Sequence, residues 1–73
     1  MVEKAEEYLK KLGLSEVRVR CQGSTARIEI PKHELKNFFD KYNISELVQY
    51  FFNLGFSCTS LDLEGLISGK LNR

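Results

Sequence analysis

Apolar and charged positions alternate along most of the stretch from Val17 to Ile30. Val17-Arg18-Val19-Arg20-Cys21 and Ala26-Arg27-Ile28-Glu29-Ile30 each repeat with a period of two, the pattern of a strand with one buried face. Gln22-Gly23-Ser24-Thr25 lies between them and puts Gly at the first central position of a two-residue hairpin turn, as type II′ requires. A tip at Gly23-Ser24 sets the pairing. Cys21 faces Ala26, Arg20 faces Arg27, Val19 faces Ile28, Arg18 faces Glu29 and Val17 faces Ile30. One face of this hairpin is apolar or small, and the other collects Arg18, Arg20, Arg27 and Glu29.

On either side the period changes to that of a helix. Ala5, Tyr8, Leu9 and Leu12 recur at helical spacing within Met1 to Leu12, with acidic Glu3, Glu6 and Glu7 early and Lys10 and Lys11 late, and Gly13 stops the helix. Pro31 ends the second strand and suits the first turn of a helix. Leu35, Phe38, Phe39 and Tyr42 form one stripe, and Ile44, Leu47, Val48, Phe51 and Leu54 form another that is out of phase with it. The mismatch predicts a break near Asn43, which can cap the second piece in a capping box with Glu46. Gly55 stops that helix, and a last strand is expected over Ser57 to Glu64, with Leu61 and Leu63 inward and Ser60, Asp62 and Glu64 outward. Gly65, Ser68 and Gly69 then make a loop-forming tail.

The order helix, strand, strand, long helix, strand describes a small α+β domain. A helical crossover joins the second strand to a parallel third. The simplest sheet places the first strand in the middle, in order 2-1-3 and antiparallel to both neighbours, as a ferredoxin-like αββαβ sandwich with the helices on one face. The opposite sheet face stays open and carries the arginines.

With 73 residues the chain is a single domain spanning 1–73. Eleven Lys and Arg against ten Asp and Glu is a near-neutral balance, whereas a general nucleic-acid binder shows a basic excess. The aromatics Phe38, Phe39, Tyr50, Phe51 and Phe52 fall on helices, not on strands where bases could stack on them. No apolar run is long enough to span a membrane, and no signal-peptide pattern opens the chain. A cytoplasmic setting is the expectation. Cys21 points to the apolar side and reads as a small core residue, while Cys58 has no clear assignment, and two cysteines make no disulfide framework. His33 falls on the polar side of its helix and reads as a solvated residue.

The arginine face carries the candidate chemistry. Arg18 opposite Glu29 is a favourable cross-strand pair, whereas Arg20 opposite Arg27 sets like charges together. Either the two guanidiniums splay into solvent, or an anion bridges them through their planar forks. Glu29, Asp62 and Glu64 offer carboxylates for a cation, although an arginine-balanced surface explains them better. No nucleophile with a neighbouring base, no phosphate-cradling glycine loop and no Cys/His metal spacing is present, so the residues describe a binding or docking domain.

Several blocks together resemble a known family. They are Ala5-Glu6, Leu12-Gly13-Leu14, Val17-Arg18-Val19-Arg20, Ala26-Arg27-Ile28-Glu29-Ile30, Leu54-Gly55-Phe56 and Leu61-Asp62-Leu63-Glu64-Gly65, with Ser68-Gly69 and Asn72. In this order they resemble the C-terminal domain of the PP-loop ATP-pyrophosphatase family of sacrificial-sulfur transferases, which build the nickel-pincer nucleotide cofactor of lactate racemase. The resemblance implies an ATP-binding domain, with Mg, that adenylates a pyridinium mononucleotide, and a Pro-Cys cysteine that gives up its sulfur. It implies that Arg18 and Arg20 bind the nucleotide phosphate and that Glu29 is a site carboxylate, a metal ligand in one version. A further carboxylate expected after the second strand is replaced near Asn37. The Ser-Gly-Gly phosphate loop and the Pro-Cys segment are absent from this chain. The expectation is therefore a non-catalytic, substrate-side domain that holds no cofactor itself. Its partners would be a PP-loop ATPase domain or subunit and a phosphorylated nucleotide. The rival is a protein-interaction or homo-oligomerisation module that uses the open sheet face or an edge strand.

Overall fold

A computed structural model describes residues 1–67. Ser68, Gly69 and Asn72, part of the expected tail, lie outside the described residues. The elements are α1 (Val2–Lys11), β1 (Arg18–Gln22), β2 (Thr25–Glu29), a 3₁₀ turn (Lys32–Glu34), α2 (Leu35–Lys41), α3 (Ile44–Leu54) and β3 (Cys58–Leu61).

The hairpin forms in the expected register from Arg18↔Glu29 to Gln22↔Thr25. Gly23 at its tip has φ 61°, and Ser24 keeps a negative φ, as a type II′ turn demands. Both helix stops also form as expected. Leu14 N–H donates back to the Leu9 carbonyl at 3.3 Å and Phe56 N–H to the Phe51 carbonyl at 3.2 Å, the long-range bond of a Schellman ending. Tyr42 turns extended between α2 and α3, and the amide of Glu46 donates to Asn43 Oδ1 at 3.1 Å. The change of stripe phase is thus a real break with a side-chain cap. Pro31 opens the 3₁₀ turn rather than an α-helix, its carbonyl accepting from Glu34 N–H at 2.8 Å.

The sheet order is β1-β2-β3, with β2 antiparallel to β1 and parallel to β3. This corrects the expected order 2-1-3: the sheet is mixed rather than antiparallel, and the ferredoxin-like arrangement is not formed. The physical reason is burial. Ala26, Ile28, Glu29 and Ile30 are all buried, whereas β1 exposes Arg18, Cys21 and Gln22. The most apolar strand takes the centre and the arginine-rich strand an edge, where long charged side chains reach water. The β2–β3 crossover through α2 and α3 lands beside β2 itself, as a parallel connection allows.

The core lies between the helices and one sheet face. Ala5 and Leu9 of α1, Phe38 of α2, and Leu47 and Phe51 of α3 pack with Val19, Ala26, Ile28 and Phe56. Tyr8 stacks on Tyr50 with ring centroids 4.0 Å apart, tying α1 to α3. Cys21 departs from the expected core position. It shares the apolar side with its partner Ala26 but is exposed, its Sγ lying 3.3 Å from the Gly23 carbonyl. The rest of the hairpin tip, Gln22, Gly23 and Ser24, is exposed as well.

The last strand is shorter than expected, and Leu63 is 76% exposed rather than inward. Asp62 explains both. Its Oδ1 accepts from Glu64 N–H at 2.9 Å and its carbonyl from Gly65 N–H at 3.1 Å, so an Asx turn competes with the ladder and wins. The chain then bonds back to β2, with Leu66 N–H donating to the Ile30 carbonyl at 2.8 Å. Gly65 makes this return possible. It has φ 85°, and a Cβ there would lie 3.0 Å from the Ile30 carbonyl oxygen and 3.1 Å from Lys32 N.

Two stability predictions follow from these local devices. Gly65→Ala is expected to cost about 1–3 kcal/mol in chemical denaturation, because it combines left-handed strain with a backbone clash. Asn43→Ala is expected to cost about 1 kcal/mol through the lost cap, while an equivalent change at exposed Asn37 stays within about 0.5 kcal/mol.

Candidate anion-binding face

By register, Arg18, Arg20, Arg27 and Glu29 project from one side of the sheet. The structure brings three of the four into one ion-pair cluster. Glu29 has 0% exposure. Its Oε1 accepts from Arg20 Nε at 3.2 Å and its Oε2 from Arg27 Nη2 at 3.1 Å. Arg27 Nε also lies 3.5 Å from Asp62 Oδ2, close enough for an ion pair but not aligned as a hydrogen bond.

Glu29 does not pair with Arg18, although the two are Cα partners. Its carboxylate turns instead to Arg27, two residues back on its own strand, and to Arg20 on the diagonal. Both are within reach of long side chains on one sheet face. This resolves the like-charge opposition of Arg20 and Arg27 from inside the protein. Their two positive charges meet the negative charges of Glu29 and Asp62, so neither splaying nor a bound anion is needed to hold them side by side. A buried carboxylate is costly unless paired and hydrogen-bonded, and two guanidiniums meet that requirement.

Arg18 remains outside the cluster. It is exposed and has no ion-pair partner among the described residues. It lines a polar surface pocket of about 340 Å³ with Glu6, Lys10, Ser15, Glu16 and Leu66. Here α1 meets the start of β1. Glu6 Oε2 accepts from Val19 N–H at 2.9 Å, which fixes the helix against the strand edge. Two cations, Lys10 and Arg18, and two carboxylates, Glu6 and Glu16, therefore share one hollow. An exposed guanidinium without an ion-pair partner can take phosphate or carboxylate bidentately.

The pocket members other than Arg18 were absent from the sequence-derived set. Glu6 and Lys10 do share a helix face at i, i+4, but nothing local says that this face stands beside Arg18. Among the described residues no group of three or more His, Cys, Asp and Glu side chains could hold a metal ion. Both oxygens of Glu29 are engaged by guanidiniums. Cys58 is exposed, and its register with Thr25 puts it on the arginine side of the sheet. Among the described residues no helix is long and apolar enough to cross a membrane.

No protein-family model matches the chain. An uncharacterized protein from Synechocystis sp. is 50% identical over 72 residues, 99% of this chain and 27% of that protein. The pyridinium-3,5-bisthiocarboxylic acid mononucleotide synthase of Lactiplantibacillus plantarum is 39% identical over 71 residues, 93% of this chain and 24% of that protein. The chain thus spans about a quarter of the length of these relatives. Over nearly its whole length, then, it is similar to a stretch of that synthase that makes up roughly a quarter of the enzyme.

Proposed function

We propose that this chain is the substrate-side domain of an ATP-dependent sulfur transferase, binding the phosphate of a nucleotide substrate and docking on a PP-loop ATPase domain or subunit. The single observation behind the phosphate role is Arg18, an exposed guanidinium without an ion-pair partner among the described residues, set in a pocket with Lys10. The relation to a mononucleotide synthase along nearly the whole chain supports the same reading. In it, Arg18 takes the phosphate and Arg20, held through its Nε by Glu29, adds a second contact from its free end. Arg27 keeps Glu29 in place, and Glu29 orients Arg20 rather than Arg18. Glu6 and Glu16 across the pocket suit a ligand that also carries a positive ring, as a pyridinium mononucleotide does. Glu29 would serve as a metal ligand only by releasing an arginine. ATP and Mg belong to the partner domain, and the chain alone performs no adenylation or sulfur transfer.

The test is a titration of the isotopically labelled chain with nicotinic acid mononucleotide, followed by NMR, with inorganic phosphate and magnesium as controls. Shifts are expected at Arg18, Arg20, Lys10 and Ser15. Arg18→Ala combined with Arg20→Ala should weaken binding by at least about tenfold, since each charge-assisted contact contributes about 1.5–3 kcal/mol. Undiminished affinity in the double variant would overturn the phosphate role. Glu29→Gln separates orientation from contact. It should cost about 1–3 kcal/mol of stability by leaving two guanidiniums opposed, whereas Arg18→Ala alone should leave stability within about 0.5 kcal/mol.

A further inference from the structure

The two outer edges of the sheet are finished differently. On β1 the outward amide of Val19 is taken by the Glu6 carboxylate at 2.9 Å, so α1 occupies that edge. Just before β3 the amide of Ser57 points inward, donating to the Ser24 carbonyl at 2.8 Å. Along the strand itself Asp62 N–H donates to the Ile28 carbonyl at 2.9 Å, in step with the Thr25↔Cys58 to Ile28↔Leu61 register. Cys58 and Ser60 therefore face β2, and alternation turns the backbone groups of Thr59 and Leu61 outward. Exposed edges are usually blunted by charges, proline or bulges. Ser57-Cys58-Thr59-Ser60-Leu61 contains neither a charge nor a proline.

Apolar surface flanks this edge. A hollow of about 200 Å³ is lined by Phe39, Ile44, Val48 and Leu61. Phe39 is 60% exposed, Val48 45% and Phe52 64%, and Val48 and Phe52 are one helical turn apart on α3. Gln49 and Asn53 beside them bond to each other at 3.1 Å and carry no charge.

We propose that β3 pairs antiparallel with β3 of a second copy of this chain about a two-fold axis. The product is a continuous six-stranded sheet, with Phe39, Val48 and Phe52 of the two copies packed alongside. The charge pattern selects a second copy as the occupant. In a two-fold antiparallel pair, residues near the axis meet their own counterparts, and a charged residue there would repel itself. Cys58–Leu61 is uncharged throughout, and its α3 flank is apolar or neutral. A strongly charged partner would find no complement on this strip. The proposal concerns the edge opposite the Arg18 pocket and does not depend on phosphate binding.

The experiment is sedimentation of the chain across a dilution series, combined with amide hydrogen exchange at the highest and lowest concentrations. The expected result is a reversible monomer–dimer equilibrium. In it the Thr59 and Leu61 amides exchange at least about tenfold more slowly at high concentration, while the Val19 amide does not change. Thr59→Pro removes an outward donor without touching the β2 ladder, and Phe52→Glu puts like charges into the apolar flank. Each should sediment as a monomer. If Thr59→Pro fails to fold, judged by circular dichroism, Phe52→Glu at its exposed helical position decides the matter. Arg18→Ala should dimerise as the unmodified chain does. A chain that is monomeric at every concentration overturns the proposal. So does a dimer that survives Phe52→Glu, or one whose Thr59 and Leu61 amides stay unprotected.

Discussion

One buried carboxylate governs how the hairpin can be built. The register that puts Val19 on Ile28 and Cys21 on Ala26 also puts Arg20 on Arg27, and two opposed guanidiniums would weaken that register. Glu29, with both oxygens engaged, joins them instead of separating them. Its desolvation is offset only because both arginines are present. The cluster therefore works as a unit, and removing any member leaves a charge uncompensated on a half-buried sheet face. It also decides which arginine has no ion-pair partner among the described residues. Asp62 neutralises the remaining positive charge near Arg27, so the cluster presents little net field, and Arg18 stands apart beside Lys10.

The central place of β2 follows from the same economy of burial. Its residues alternate between the core and the ion-pair cluster, and both kinds are shielded. With β2 in the middle, β1 and β3 become edges with different finishes. Glu6 reaches from α1 to the Val19 amide, which both docks the helix and protects that edge. No comparable charge stands on β3, and exposed Phe39 and Val48 lie next to it. The molecule thus has a polar end, where α1 meets β1 around Arg18, and an apolar side along β3.

This division fits a chain that is about a quarter of its relatives. The polar pocket sets the cations Lys10 and Arg18 beside the carboxylates Glu6 and Glu16. A domain of this size also buries only a modest core, so apolar surface left on one side is a natural place for further packing.

What local rules dictate was legible in the residues. The hairpin register came from period-two alternation and one glycine, the helix ends from Gly13 and Gly55, and the α2–α3 break from a phase slip capped by Asn43. Each depends on neighbours within a turn or across a tight hairpin, where steric and hydrogen-bonding options are few. Residues whose fate turns on distant partners were not legible. Leu63 alternates correctly for a strand but is exposed, because Asp62 closes a turn first. Cys21 alternates correctly for the core but is exposed beside the hairpin tip. The pairing of Glu29 with Arg20 and Arg27, rather than Arg18, is a choice among side chains of equal reach. The strand order and the meeting of Glu6 and Lys10 with Arg18 depend on where a helical crossover lands and how α1 packs. The sequence by itself determined the elements and the charged face, because those follow from short-range periodicity. Only the tertiary structure decided which charges neutralise each other and which arginine stays free, because that depends on burial and on contacts between residues far apart in the chain.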